Sequence, residues 1–476
     1  MVDIDTLVPP VRPPYRIRFL GLVRDRLRRL NFDLWPGFAT PIVLTAYTGL
    51  YGTLVLHGFH FFFNDTYAVI LIPLWLVDGL RGSYEVLLRR QYKSDTENLK
   101  DITVVIACKD GEAVIGQTLA DLRRRFPGDH IIVASNGSTD RTCEVVRRHN
   151  CVCLNIPDAI GKVRAIHYAL DSVKTPYVLL LDDDTLIGDA PLPTGLLDQG
   201  FTAVAFRVYV KISTWVTKFQ AYEYRKSADI GKRRHNKRAT VQNVSGAIGL
   251  FTLSELQRQV SLHTGEFSGE DLQRTLLIHL SEERGGVVLA DSVVLTEPPA
   301  TFVQLYKQRV FGWFPGLYAN FGNYIRLLVR RRVPLALRED AFYNSFLVVV
   351  LDILRLLALP IMVFYPAYFV IMYLSYVALE SASYARCQGQ RGSYWVVALY
   401  PFYGIFGLYT RLGAFAVFLY RRSVVRLSGF TFLDDYRRGN RFIKFLAAVC
   451  VSAGIAAVFA LNVAYHYALF FTNVKF

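Results

Sequence analysis

The apolar run Tyr177-Val178-Leu179-Leu180-Leu181 ends on three consecutive carboxylates, Asp182, Asp183 and Asp184. A strand of that composition delivers acidic side chains to a sheet edge, with Asp182 and Asp184 one residue apart. Carboxylates so spaced hold Mg2+ or Mn2+, and such an ion can bridge a diphosphate and neutralise its charge as it leaves. A solvated acidic turn has the same composition, and the triplet alone does not separate the two. A second acidic motif, Gly269-Glu270-Asp271, precedes Leu272, Leu276 and Leu280, which share one helix face. It therefore stands at a helix start, where acids suit the dipole. There Asp271 could also take a proton from an acceptor hydroxyl as a general base. Lys162, after Gly161, opens another helix behind a loop, either to meet a phosphate or as a solvated helix lysine. The loop Ser135-Asn136-Gly137-Ser138-Thr139-Asp140 could cradle a nucleotide or be an ordinary capped turn.

These residues need elements to position them. Residues 102–107 form a continuous apolar run with β-branched members and read as a buried strand. Ile115, Leu119, Leu122 and Phe126 then recur at helical spacing. A second strand at 131–134 runs into the Ser135 loop, a helix starts at Arg141, and a third strand lies near 152–154. Val163, Ile166, Leu170 and Val173 mark the helix behind Lys162, and 177–181 is the fourth strand. Strands alternating with helices predict an α/β domain with a mainly parallel sheet and ligands at the carboxyl ends of its strands, where the polar motifs fall.

The rest of the chain has a different character. Of 476 residues, 52% are hydrophobic and 14% aromatic, yet 54 Lys and Arg and 39 Asp and Glu leave a net charge of +15. Apolar and charged residues are therefore segregated, which suggests a membrane protein with one substantial soluble portion and argues against a soluble oxidoreductase or kinase. Residues 38–63 are uncharged and long enough to cross about 30 Å of hydrocarbon. A turn at Asn64-Asp65-Thr66 leads to a shorter apolar return at 67–77, and Arg-rich segments on both sides place both flanks in the cytosol. Residues 9–35 are rich in Pro and Arg with no apolar core, unlike a signal peptide. Beyond Glu297-Pro298-Pro299, Tyr, Trp and Arg mix as in a helix lying along a membrane. Residues 342–379 suit two spans, with Asp352 and Arg355 inside them, and 445–471 suits a last one. Residues 394–420, which contain Arg411, read as re-entrant or interfacial, because a basic and therefore cytosolic segment follows. The intramembrane charges and many Tyr and Phe suit either a sugar-binding channel or ion pairing between helices. The net positive charge fits membrane flanks and phosphate sites, and no nucleic-acid-binding signature accompanies it. Six cysteines, with Cys151 and Cys153 the one close pair, show no zinc spacing and read as reduced cytosolic thiols.

Taken in order, Thr103-Val104-Val105-Ile106-Ala107, the Ser135–Asp140 loop, Gly161-Lys162, Leu181-Asp182-Asp183-Asp184, Ser245-Gly246, Gly269-Glu270-Asp271 and the segment from Gln308-Arg309 through Trp313 to Gly316 resemble the family 2 glycosyltransferases. More narrowly, they resemble the membrane-integrated processive synthases of cellulose, chitin and hyaluronan. The resemblance implies a cytosolic α/β domain of the GT-A fold, with a Rossmann-like mixed sheet, inserted between helical transmembrane segments. It divides the chain into a basic cytosolic N-terminus (1–37), a transmembrane hairpin (38–82), the GT-A domain (95–300), interfacial helices (301–335) and a C-terminal membrane region (340–476). It implies an integral membrane protein of the plasma membrane or an equivalent one, with a nucleotide-sugar donor, a glycan acceptor and the lipid bilayer as partners.

By the same resemblance, Asp182 and Asp184 hold Mg2+ or Mn2+, Lys162 and Asp183 contact the nucleotide, and Asp271 is the catalytic base with Glu270 beside it. Gln308, Arg309 and Trp313 close over the diphosphate and support the acceptor sugar, which Ser245 and Gly246 also bind. Two departures stand out. Where the family carries Asp after its second strand this chain has Ser135 and Asn136, so the nucleotide contact falls to Asn136 or Asp140. The family's Gln-x-x-Arg-Trp signature is here Gln308-Arg309-Val310-Phe311-Gly312-Trp313, with no Arg directly before the Trp. The implied reaction inverts the anomeric centre and extends a β-linked polysaccharide, which passes through the membrane helices. A single-transfer lipid glycosyltransferase resembling the ceramide glucosyltransferases is the alternative, and a non-catalytic membrane scaffold or transporter a second one.

Overall fold

The structure is a computed structural model that describes residues 92–345 and 366–428, apart from 237, 266–268, 282–284, 331–332, 343 and 388–393. The expected hairpin at 38–82, the charges Asp352 and Arg355, and the last apolar stretch at 445–471 lie outside the described residues.

Seven strands form one sheet: β1 (Ile102–Cys108), β2 (Ile131–Asn136), β3 (Val152–Ile156), β4 (Tyr177–Leu181), β5 (Ala203–Val210), β6 (Ile248–Thr252) and β7 (Val287–Thr296). Their order is β3-β2-β1-β4-β6-β5-β7. Strands β1 to β4 run parallel, β5 pairs parallel with β7, and β6 alone runs antiparallel, between β4 and β5. This is the mixed α/β sheet of the GT-A type.

Register decides what collects at the edge. Cys108 pairs with Ser135, Ile106 with Leu181, and Leu181 with Ile248. The carboxyl ends of β1, β2 and β4 therefore meet the amino end of the reversed β6. The peptide N–H of Asp182 continues the pairing one step, donating to Ala247 O at 3.0 Å. Because alternate strand residues face opposite ways, Val104, Ile106, Leu179 and Leu181 pack on one side with Ile115, Leu119 and Leu122 of helix α1 (Ile115–Leu122). Val105, Val178 and Leu180 pack on the other, with Ala165, Ile166 and Ala169. A layer of helices thus covers each face.

Helix α2 (Thr142–Arg148) lies against β3, and helix α3 (Lys162–Leu170) follows that strand. Cys143 of α2 and Cys153 of β3 are joined as a disulfide, with Cα atoms 5.8 Å apart. The expectation of free thiols throughout is corrected here, because helix-on-strand packing brings Cys143 against Cys153, a pairing that sequence spacing did not single out. Cys108, Cys151 and Cys387 are free and buried.

Helix α4 (Trp215–Lys226) leaves the sheet after β5 and continues into a π-helical turn, Ser227–Lys232. Helix α5 (Glu270–Leu280) precedes β7. After the sheet, α6 (Phe302–Lys307) starts with a capping box between Thr301 and Gln304. A second π-helical turn, Gln308–Trp313, and helix α7 (Phe314–Ala319) follow. Beyond two further helices, Phe321–Val329 and Leu335–Phe342, lie α8 (Pro366–Arg386) and α9 (Tyr394–Ser428), the latter 35 residues long with Pro401 inside it. Within α9, Trp395–Arg422 is the one helix among the described residues long and apolar enough to cross a membrane. The stretch expected to be re-entrant or interfacial lies within this one helix. Pro401 falls near its start, and the guanidinium of Arg411 sits over the Phe314 ring of α7 at 5.8 Å.

Candidate active site

The polar motifs converge on the edge where β4 ends. Gly161 has φ +98° and ψ 150°, a conformation essentially restricted to glycine. Asn136 at the end of β2 holds this turn, its Oδ1 accepting from the Ile160 N–H at 2.8 Å and the Gly161 N–H at 3.3 Å. The turn aims Lys162 at the edge, where its ammonium donates to Asp182 Oδ1 at 2.6 Å and pairs with Glu270 Oε1 at 2.8 Å. Three motifs far apart in sequence thus share one ion-paired cluster.

Asp271 stands beside Glu270 at the start of α5. Its Oδ2 accepts from the Gly246 N–H at 3.1 Å and its Oδ1 from the Leu272 N–H at 2.8 Å. Thr275 fastens the same corner: its hydroxyl donates to Asp271 O and accepts from the Val244 N–H. The Ser245-Gly246 turn before β6 therefore lies against the Asp271 carboxylate; a Cβ on Gly246 would be 3.8 Å from it. Gly269, with φ +92°, places α5 close to the π-turn, since a Cβ there would come within 3.2 Å of Trp313 O. Trp313 is 40% exposed at the rim, and its ring lies 6.1 Å from that of Tyr224.

The aspartates divide. Asp183 Oδ2 accepts from the Cys108 thiol at 3.0 Å, and its carbonyl from the Thr118 hydroxyl at 2.7 Å. Asp184 Oδ1 accepts from the hydroxyls of Thr296 at 3.2 Å and Thr185 at 3.4 Å.

Charge is unevenly distributed over the cluster. Burial, opposed by Lys162, pushes Asp182 up to about 6. Burial also raises Asp184, helped by Asp183. Burial raises Glu270 too, but the Lys162 ammonium and Arg274 outweigh it and hold that carboxyl down at about 2. Asp271 is held above the usual carboxylate range by burial and by the Glu270 charge next to it. Burial disfavours the charged form of Lys162, yet Asp182 and Glu270 keep it firmly protonated. Two adjacent carboxyls thus stand in unlike environments, Glu270 ionised against Lys162 and Arg274 and Asp271 holding its proton more readily.

The structure brings Lys162, Asp182, Glu270, Asp271, Ser245 and Gly246 together, with Asp183 and Asp184 on the same edge and Trp313 at its rim. Asn136 and Asp140 spend their side chains on backbone. Asp140 accepts from the N–H groups of Thr142 and Glu112. Gln308 Oε1 is buried without a hydrogen-bond partner among the described residues. Arg309 is turned to Glu223 of α4 and Tyr403 of α9 rather than joining the ion-paired cluster.

Sequence reading did not find Cys108, Thr118 and Thr296, which hold the aspartates, or Arg274, a buried cation one turn beyond Glu270. Only Arg274 carried a local signal, its i+4 spacing from Glu270. Tyr224 and Glu223 depend on contacts that no local pattern encodes.

Among the described residues no group of three or more His, Cys, Asp or Glu side chains could hold a metal ion alone. The edge does offer hard oxygen ligands. The contacts of Asp182 and Asp184 fall on Oδ1, which leaves Oδ2 of each for a cation. Two carboxylates with no soft donor fit Mg2+ or Mn2+, which typically complete their coordination from substrate phosphates and water.

Residues 100–313 match a family model described as glycosyltransferase like family 2. The poly-beta-1,6-N-acetyl-D-glucosamine synthase of Staphylococcus aureus (strain COL) is 25% identical over 292 residues, 58% of this chain and 70% of that protein. The synthase of the same name from Staphylococcus epidermidis is 24% identical over 282 residues, 54% of this chain and 64% of that one. Among solved structures, a mannosyltransferase from Pyrobaculum calidifontis in complex with GDP-mannose and Mn2+ shares 14% identity. The match covers 81% of this chain and 99% of that one at a TM-score of 0.42, a likeness too loose to carry an argument.

Proposed function

Because this chain carries a family 2 glycosyltransferase domain and is homologous to polysaccharide synthases, we propose that it extends a β-linked polysaccharide by inverting transfer from a UDP-sugar, with Asp271 as base. The single observation that carries this reading is the Lys162 ammonium bonded at once to Asp182 and Glu270, with Asp271 next in the chain.

In the proposed reaction the acceptor hydroxyl gives its proton to the Asp271 carboxylate, which the N–H groups of Gly246 and Leu272 hold in place. The freed oxygen attacks the anomeric carbon from the side opposite the diphosphate, and the bond from that carbon to the diphosphate oxygen breaks. Lys162, now paired with Asp182, exchanges that partner for donor phosphate and stabilises the charge that develops on the leaving group. Glu270 keeps the ammonium in place during the exchange. A divalent ion held by Asp182 and Asp184 supplies further neutralisation of the diphosphate when bound. Trp313 and Tyr224 offer aromatic surfaces for the terminal sugar at the rim.

The same reading places α9 across the bilayer, with the domain on the cytosolic side. In support, Leu399, Phe402, Phe415 and Leu419 of that helix are exposed, and Arg421 and Arg422 stand at the end of its apolar stretch. The growing glycan would leave along the membrane helices.

A panel of nucleotide-sugars with Mg2+ or Mn2+, scored for nucleotide release and product size, tests the reading. UDP-N-acetylglucosamine is the first donor to try, because of the names of the relatives. Polymer from one donor is the expected result. A single-sugar lipid product with no high-mass material would overturn the polysaccharide assignment.

A further inference from the structure

Arg309 is the candidate whose position departs furthest from its expected role. It lies 2% exposed, and its Nη2 bonds the Glu223 carboxylate and, at 3.0 Å, the Tyr403 hydroxyl. The Tyr403 hydroxyl in turn donates to Glu223 Oε2 at 2.7 Å, which closes the three groups into a ring. Phe219, one turn before Glu223 on α4, stacks on Tyr403 with centroids 5.2 Å apart and planes 9° apart. Burial pushes the Glu223 carboxyl up, but the Arg309 guanidinium and Tyr403 hold it below the ordinary range, so the ion pair is charged. Nε is buried with no partner among the described residues, while both bonds fall on Nη2 and pair the guanidinium charge with Glu223. What it joins is more telling: α4, the long apolar helix α9, and the π-turn that ends on Trp313.

Further contacts fix that turn at the same place. Val310 packs beside Gly413 of α9, where a Cβ would stand in ordinary contact at 3.5 Å from its methyl groups. Arg421 of α9 donates to Phe311 O at 3.2 Å. The residue after Glu223 is Tyr224, whose ring faces Trp313. One short stretch of α4 therefore supplies both the anchor of the turn and the aromatic neighbour of its last residue. Insertions of the π type are often found at functional sites, and here one spans Gln308–Trp313 and so includes both Arg309 and Trp313.

We infer that Glu223 and Tyr403 are positioning residues for the acceptor: by locking Arg309 they set the Trp313 turn against the long apolar helix. The inference rests on the proposed role of Trp313 as an acceptor contact. It makes the location of the acceptor sugar depend on α9, and it assigns Arg309 to that task instead of to the donor diphosphate.

Glu223→Gln, Tyr403→Phe, their double variant and Arg309→Lys, each in the full-length protein, test it through UDP affinity, acceptor-oligosaccharide KM and product length. The expected result is a UDP Kd within about twofold of the unaltered protein. Acceptor KM should rise about tenfold or the product shorten, and the double variant should be no worse than the more affected single one, as for groups acting as a unit. Retained UDP binding shows that each variant is folded, and Tyr403→Phe removes a single oxygen. A tenfold rise in UDP Kd for Arg309→Lys with acceptor KM unchanged would overturn the inference, as would constants equal to those of the unaltered protein in all variants. Failure of the unaltered protein to transfer sugar from any donor would instead strike the proposed reaction, so the two are told apart.

Discussion

At the scale of single residues, the site turns on two neighbouring carboxyls with opposite tendencies. Lys162 and Arg274 hold Glu270 below the ordinary carboxylate range against the effect of burial and so favour its ionised form. Asp271 is raised by burial and by Glu270. A base must be deprotonated to act, so kcat/KM is expected to climb as pH rises through the raised Asp271 value. Glu270→Gln removes a charge that opposes ionisation of Asp271, so its residual activity should show that acid limb at lower pH. A pH–rate profile of the variant checks the sign, and an unmoved limb would assign the titration to another group. Lys162→Met should raise donor KM by one to two orders of magnitude if the ammonium meets phosphate, because charge-assisted contacts contribute about 1.5–3 kcal/mol. Donor titration measures that directly.

At the scale of elements, the site depends on how strands and helices end. Gly269 illustrates this: at φ +92° and against the Trp313 carbonyl, alanine is strained in backbone and in space. Gly269→Ala is expected to cost about 1–3 kcal/mol, read as a lowered melting temperature with loss of transfer. Deep in the layer behind β1, Leu119 has no exposed surface, and Leu119→Ala should cost about 2–5 kcal/mol in a denaturant titration while leaving donor KM unchanged. The first four strands were readable in the sequence to within two residues at either end, because each is an apolar, β-branched run bounded by polar loops. The reversed β6 was not. Ile248-Gly249-Leu250-Phe251-Thr252 has no alternation, and its direction is fixed only by pairing with Leu181 and Ala205. The residues of the ion-paired cluster were legible because each sits at an element boundary that local pattern reveals. Arg309 was placed by its motif, yet its side chain follows Glu223 and Tyr403, and contacts across such separations leave no local trace.

At the scale of the molecule, a mixed-sheet domain ends in helices that pack along a 35-residue apolar helix. Aromatic side chains form much of that junction, with Phe219, Phe302, Tyr400 and Tyr403 in contact across it. Lys226 of α4 reaches Glu380 of α8 at 2.5 Å, which ties the domain to a second helix. If α9 crosses the bilayer, the chain should remain with membranes after alkaline carbonate washing and leave only in detergent. Recovery in the wash would contradict that placement.

The central claim is that Asp271, beside the Lys162 cluster, is the base of a nucleotide-sugar transfer. Purified unaltered protein and Asp271→Asn, given radiolabelled UDP-sugar and acceptor, test it most directly. The expected result is incorporation by the unaltered protein and a fall of about 10²–10⁴ in the variant with UDP binding retained. Full incorporation by Asp271→Asn would contradict it.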